Sequence, residues 1–497
     1  MRSGSPGIQS SHWTIAASRN QFYIALICLT VFHIFLAASF PPAEDELYYW
    51  SWAKSLQLSY YDHPPMVAYL IAFSTKLFGN NLFGIRFFGV LLGLVVLMLL
   101  RALSDKSQLL FYVCLTPVFF WGSIIMTPDV PLVFFWTCYL FWLVQVAKPL
   151  SNWSDDPVTR VYHPSPVAMP LWILGGVLLG LGILSKYSMF LAAPCCFLAL
   201  VFRYRASAWV KGYFVHLVVA MLVAFPVIYY NYQHDFVSFR FQWGNAMSGS
   251  GNGISFASFF EYLGGQIIMV GALPFIMLPW ILLWRPEIRD NPKLDVLFYF
   301  FVPTICFFAL QSFRTKLEAN WGLVTYLAFW PLAQSLMDRT SFKTFALGLR
   351  LTAFIAPIVV SLAIAIHLVT PLKIISPAKD RLTRLRSQLH LSQEVARELG
   401  FMETIPVFLP SYQWTAYLKY QGVNAHQAFP SGKMSHYTMK PVDACQFPSV
   451  FFFSPESEPG VAAPALSCFK NKTRIKVYDL SVRGELIHQF YLDRYSK

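Results

Sequence analysis

Charge is scarce in this chain. Only 13% of its 497 residues are Asp, Glu, Lys or Arg, roughly half the share found in ordinary soluble domains, and that shortage excludes a soluble globular enzyme. A Gly-rich fingerprint of the Rossmann kind is missing too, so no substrate held by a nucleotide-cradling loop is expected. The eight cysteines show neither zinc-ligand spacing nor a nucleophilic Cys/His arrangement. No small-residue cleavage site closes the first apolar run, which therefore reads as a retained anchor and not as a removed signal peptide. Internal repeats and low-complexity segments do not stand out.

Apolar residues take the place of charge: 56% of the chain is hydrophobic and 17% aromatic. That composition predicts an integral membrane protein. About eleven apolar runs lie near 22–40, 83–100, 108–125, 130–147, 171–185, 188–202, 213–230, 264–283, 296–311, 322–337 and 345–368. The net charge of +13 would suit a nucleic acid. However, the cations are spread through short connections, as positive-inside topology signals are, and no nucleic-acid partner is expected. With a cytoplasmic N-terminus the inner connections hold Arg101, Lys106, Lys148, Arg160, Arg203, Arg205 and Lys211. Further along they hold Arg285, Arg289, Lys293, Arg339, Lys343 and Arg350. The loops 41–82 and 231–262, together with Asp129, Lys186 and Arg314 to Trp321, then fall on the outer side.

An odd span count puts everything after about Pro371 outside as well. There the polarity becomes mixed. Arg381, Arg384 and Arg386 lie in a helical-looking run, while Val450 to Phe453 and Ile475 to Tyr478 read as strands. The expected organisation is an α-helical polytopic membrane domain over 1–370 and a small α/β periplasmic domain over 371–497. Cys28, Cys114, Cys138, Cys195, Cys196 and Cys306 lie in or beside apolar runs and read as apolar filler. Cys445 and Cys468 fall in the outer domain, where a disulfide can form and persist.

Chemistry concentrates at the outer ends of the runs. Glu44-Asp45-Glu46 follows the first run directly and precedes an aromatic segment that suits the membrane interface. Acidic residues stabilise a first helical turn, and 45–57 looks like such a helix, so two of the three could do only that. Asp129 supplies a second carboxylate at the outer end of another run. The outer cations are His63, Lys186, His234, Arg314 and Lys316. Lys186 sits in a very short turn where topology does not ask for a positive charge, whereas a phosphate does. His63 and His234 could each donate to a phosphate or bind a metal. Convergence of Glu44, Asp45, Asp62 and Asp129 would make a divalent-cation site, so a metal is left open.

The stretch Asp45-Glu46-Leu47-Tyr48-Tyr49-Trp50, with Tyr61-Asp62-His63-Pro64-Pro65 and Gly84-Ile85-Arg86-Phe87, resembles the first outer loop of bacterial GT-C glycosyltransferases. This is the branch related to protein O-mannosyltransferases and the lipid A aminoarabinose transferase. Thr127-Pro128-Asp129, Gly180 to Tyr187, Asn231 to Phe239 and Glu318-Ala319-Asn320-Trp321 continue the likeness in order over most of the first 330 residues. The C-terminal part resembles the family only loosely, around Ser411-Tyr412-Gln413-Trp414. One departure is Gly322, where the family often has proline.

The resemblance implies a polyprenyl-phosphate sugar donor, inversion at the anomeric carbon and transfer at the periplasmic face of the inner membrane. It makes Asp45 the catalytic base, with Asp129 and Glu46 as further acids. Lys186, His63, Arg314, Lys316 and His234 are expected around the donor phosphate. Asp62, Tyr61, Asn231, Glu318 and Asn320 are expected to touch substrate. Such a donor leaves as an anion, so positive charge must face the leaving group and a carboxylate must face the acceptor hydroxyl. The expected acceptor is lipid A or another envelope glycan. A protein acceptor, or a lipid-linked glycan ligase or flippase, is the alternative. Against a flippase, the charges crowd at run ends and not at the bilayer midplane.

Overall fold

The computed structural model describes residues 19–104, 113–114, 116–150, 167–204, 206–247, 254–337, 358–373, 375–400, 405–430 and 433–497. The runs expected at 108–125 and 345–368 lie partly outside these residues. Lys106, Arg160, Arg205, Arg339, Lys343 and Arg350 lie wholly outside them.

The principal helices of the first part are α1 (Arg19–Ser39), α2 (Glu44–Trp52), α3 (Met66–Phe78), α4 (Leu82–Leu103) and α5 (Asp129–Leu150). Next come α6 (Met169–Ile183), α7 (Ala192–Val201), α8 (Ala206–Gln233), α9 (Val237–Met247), α10 (Phe256–Val270) and α11 (Leu273–Leu283). They are followed by α12 (Pro292–Ser312), α13 (Leu323–Met337) and α14 (Ile358–Val369). Among the described residues α1, α4, α5, α8 and α12 are long and apolar enough to cross a membrane, which makes five; α10 and α11 add a sixth if they form one broken span. That pair bends by 98°. Gly271, at φ 83°, ends α10, and Pro274 sits in the first turn of α11, where its missing N–H costs nothing. Several runs expected as spans are shorter than an upright crossing requires: α6 has 15 residues and α13 has 15. Large apolar side chains on α1 and α8, among them Ile27, Phe35, Phe214 and Leu222, face outward, as a lipid-contacting surface requires.

The C-terminal part contains α15 (Arg381–Leu399), β1 (Val407–Leu409), α16 (Tyr412–Tyr420), β2 (Ala425–Gln427), β3 (Ser449–Ser454), β4 (Asn471–Val482) and β5 (Glu485–Ser496). The strands form one sheet in the order β2-β1-β3-β5-β4. β1 runs parallel to β2 and β3, while β5 is antiparallel to both β3 and β4. The strands and the helical run expected here from the sequence are β3, β4 and α15. Cys445 and Cys468 are bridged, with Cα atoms 5.8 Å apart.

The feature that positions the site is the placement of α2. Its Leu47, Tyr48, Trp50 and Trp52 are buried in the same core as Val407, Tyr412, Trp414 and Phe453 of the C-terminal part. The Tyr417 hydroxyl donates to the Pro42 carbonyl (2.9 Å), and Gln388 on α15 donates to Glu44. Helix α2 is therefore clamped between the membrane helices and the sheet domain.

Candidate active site

Two glycines bring α6 against α8. A Cβ at Gly176 would collide with Val219 and the His216 carbonyl, and one at Gly180 with Val223, so only glycine allows this approach. At the end of α6 the Ser185 and Lys186 amides both return to the Gly182 carbonyl (3.0 Å each), making a tight turn into a 3₁₀ segment. That turn carries Lys186 to the start of α5. There its ammonium meets Asp129 Oδ1 at 2.7 Å, while Asn320 Nδ2 donates to Oδ2 at 2.8 Å. Both side chains of the ion pair are largely buried, 11% exposed for Lys186 and 13% for Asp129. The carboxylate also stands in the first turn of α5, where the helix dipole favours a negative charge. Lys186 keeps two of its three N–H donors for a ligand.

Asp129 and Asn320 line an apolar cavity of about 230 Å³. The rest of its wall is side chains such as Val96, Phe119, Val130, Val270 and Leu327. His63 lies close enough to feel the Lys186 charge; burial first, and then that charge, hold its imidazole near a pKa of about 3. It is therefore neutral near pH 7, and the expectation of a cation at His63 is corrected to a neutral donor and acceptor. Its Nδ1 lies 3.4 Å from Gln242 Nε2.

Asp45 opens the second half of the site. It sits in the first turn of α2, and Oδ1 accepts from the Tyr412 hydroxyl (3.0 Å). Its side chain is open to solvent but ringed by protein, and that enclosure raises its carboxyl above the usual range; Lys433 nearby works in the opposite sense. Asp62 accepts from the Tyr48 hydroxyl at 2.6 Å, and burial pushes its carboxyl up to about 7. Tyr49 stands within electrostatic reach of Asp45, Asp62 and Asp129, which together with burial hold its phenol well above the ordinary value. The three carboxylates thus surround one tyrosine.

Other expected residues are engaged elsewhere. Glu46 is fully buried and forms a bidentate pair with Arg86, at 2.8 Å to Nε and 2.7 Å to Nη2. It also accepts from the Met126 and Ala43 amides, so both its oxygens, expected to act on substrate, are engaged within the protein as a clamp. Asn231 is buried and ties the Phe239 amide (3.1 Å) to the Val227 carbonyl (2.9 Å) across a turn where Asp235 and Phe236 have positive φ. Tyr61 is buried against Phe241 (4.8 Å). Lys316 is exposed and pairs with Glu261 at 2.6 Å, and Arg314 is exposed. Neither cation is brought to Lys186 by any contact found here. Glu318 is exposed, near enough to Asp45 to raise its carboxyl slightly. His234 stacks on Tyr230 and lines a separate pocket. Among the described residues no group of three or more His, Cys, Asp or Glu is arranged to hold a metal ion. Gly322 is explained as well: a Cβ there would collide with the Tyr262 hydroxyl.

Sequence reasoning missed Tyr48, Tyr49, Tyr412, Lys433 and Gln242 as site residues. Tyr412 carried a signal, since it lies in the one C-terminal stretch that resembles the family. Lys433 carried none.

Comparison with known proteins defines a class first. The fold matches ArnT from Cupriavidus metallidurans, solved with undecaprenyl phosphate, with a TM-score of 0.61 at 14% identity over 96% of this chain and 98% of that one. The archaeal oligosaccharyltransferase AglB from Archaeoglobus fulgidus matches with a TM-score of 0.50 at 11% identity, over 82% of this chain and 64% of that one. The family profile of dolichyl-phosphate-mannose-protein mannosyltransferases matches residues 62–157. The chain has an ArnT-like GT-C fold and resembles membrane glycosyltransferases. Among individual relatives, the lipid A galacturonosyltransferase RgtD of Rhizobium johnstonii is 27% identical over 365 residues, 71% of this chain and 72% of that protein.

Proposed function

We propose that this chain moves a single sugar from a polyprenyl phosphate to lipid A, or to another envelope glycan, by one inverting displacement at the periplasmic face of the inner membrane. The observation that carries the reading is the division of the site. Lys186 pairs with Asp129, which lines an apolar cavity, and Asp45, accessible and held by Tyr412, sits on the side of the C-terminal domain. The apolar cavity suits the prenyl chain, which places its phosphate at Lys186. The acceptor hydroxyl then approaches from the Asp45 side, Asp45 takes its proton, the new glycosidic bond forms at the anomeric carbon, and the prenyl phosphate leaves with the bonding pair. Lys186 neutralises that departing charge.

Asp129 has both oxygens committed to Lys186 and Asn320, so it orients the lysine and is less suited to taking the proton. Residues 1–370 serve as the membrane catalytic part and 371–497 as a periplasmic domain, a placement that the Cys445–Cys468 bridge supports. Mass spectrometry of envelope lipids with and without the gene tests the reading. A loss of one sugar mass from lipid A is expected. An unchanged lipid A and glycan profile would overturn it, and loss of a whole glycan chain would point to a ligase.

A further inference from the structure

Beside the reacting centre lies a second cavity, of about 220 Å³, formed where α8 and the loop after α2 meet the C-terminal domain. It shares no lining residue with the apolar cavity. Its polar lining includes Lys419, Lys440, His234, His426 and His436, together with Gln57 and Gln427, and no described Asp or Glu lines it. Lys419, half-buried near the end of α16, has its ammonium 5.6 Å from the Tyr437 ring centroid and pairs with no carboxylate among the described residues. A cation withdrawn from water without a counter-ion is costly, and burial accordingly draws the Lys419 ammonium below its ordinary pKa.

His436 gives a second, independent sign. Its Nε2 faces Gln57 Nε2 at 3.2 Å. The amide nitrogen can only donate, so Nε2 accepts and Nδ1 carries the proton. That Nδ1 is buried and has no hydrogen-bond partner among the described residues. The same residue is wired to the reacting centre: its backbone amide donates to the Tyr48 hydroxyl (2.6 Å), which donates to Asp62. The cavity thus holds an uncompensated positive charge and an unanswered buried donor, one tyrosine away from a site carboxylate.

We propose that this cavity is an anion subsite that receives a compact oxyanion carried by the substrate, either the carboxylate of an acidic sugar on the donor or a phosphate on the acceptor. Lys419 and Lys440 supply the charge, in a wall that His436 shares. Because the subsite rests on the transfer reaction proposed above, the test separates the two. Purified wild type, Lys419→Gln, Lys419→Arg and Lys419→Gln/Lys440→Gln are assayed with polyprenyl phosphates bearing galacturonate or galactose. Each donor is paired with lipid A that carries its phosphates or has been dephosphorylated.

The double Gln variant should lower the acid-over-neutral donor ratio of kcat/KM by about 10- to 100-fold, the loss of charged hydrogen bonds, with Lys419→Arg retaining part. If the acceptor supplies the anion, the phosphorylated-over-dephosphorylated ratio falls by that amount instead. Both ratios staying at the wild-type value in folded variants would overturn the subsite and leave the transfer reaction standing. Whether or not wild type transfers either sugar, melting-temperature titration decides the subsite separately. Galacturonate or inorganic phosphate should stabilise wild type and not the double variant, and equal stabilisation of both, or of neither, would overturn it.

Discussion

Replacing Glu46 with glutamine keeps the shape of the side chain and removes its charge, in a place where that charge is fully enclosed. Glu46 Oε1 accepts from Arg86 Nε (2.8 Å) and the Met126 amide (2.9 Å), and Oε2 accepts from Arg86 Nη2 (2.7 Å) and the Ala43 amide (3.2 Å). Whichever way the new amide turns, its NH₂ group faces two donors, and Arg86 is left as a buried cation without a counter-ion. Breaking such a pair from one side costs about 3–5 kcal/mol. The loss should appear as a lower melting temperature and a lower yield of detergent-purified protein, with turnover per folded molecule largely retained. Removing both partners, as Glu46→Leu with Arg86→Met, should restore only part of the stability. Arg86 also donates to the Phe40 (2.7 Å) and Pro41 (3.0 Å) carbonyls, which methionine cannot satisfy. A Glu46→Gln protein that melts with wild type but turns over about 10²-fold more slowly would refute the clamp and return Glu46 to the chemistry.

Asp45→Asn should lower transfer by at least the roughly 10²-fold typical of a lost general base, with the melting temperature unchanged; near-normal turnover would leave Asp45 as a helix-start residue. Asp129→Asn should lower transfer less, because it loosens Lys186 without removing the base, and kinetics on the two purified variants rank them. Lys186→Ala should weaken donor use while Lys186→Arg keeps part of it, since charge survives and geometry changes; donor affinity equal to wild type in Lys186→Ala would remove the phosphate role. The Asp62 carboxyl, raised from 3.8 to about 7, holds a proton in the folded protein that the unfolded chain releases. Its contribution to stability is therefore present at low pH and is lost as pH rises from about 4 to about 7, so melting temperature against pH should be flatter for Asp62→Asn; an unchanged slope counts against that burial.

The membrane class was legible because apolar composition survives any detail of packing. Asp45, Asp129 and Lys186 were legible because charge at the end of an apolar run is costly unless it is used. Asn320 belonged to an ordered motif and does meet Asp129. What sequence could not separate was Glu46 from Asp45. The two are adjacent, but one helical step turns one inward onto Arg86, 40 residues away, and leaves the other exposed beside Tyr412. Nor could it show that His63 is a neutral imidazole, because that state depends on burial and on a lysine brought close by the α6–α8 glycines. Hydropathy registers the apolar stretch 264–283 but not that α10 and α11 meet there at a 98° bend.

The clamping of α2 has a consequence for how such enzymes can be recombined. Contacts from Pro42, Glu44, Asp45, Tyr48 and Ser51 all reach residues between 388 and 437. The seam is therefore discontinuous in sequence: the segment from Pro41 to Pro65 packs on the C-terminal domain while Glu46, through Arg86 and the Met126 amide, also ties it to the membrane helices. A chimera cut once near residue 370 would join two halves of different seams and lose Tyr412 from its aspartate. One that exchanges both pieces together would keep the contacts of Pro42, Glu44, Asp45, Tyr48 and Ser51 with the C-terminal domain.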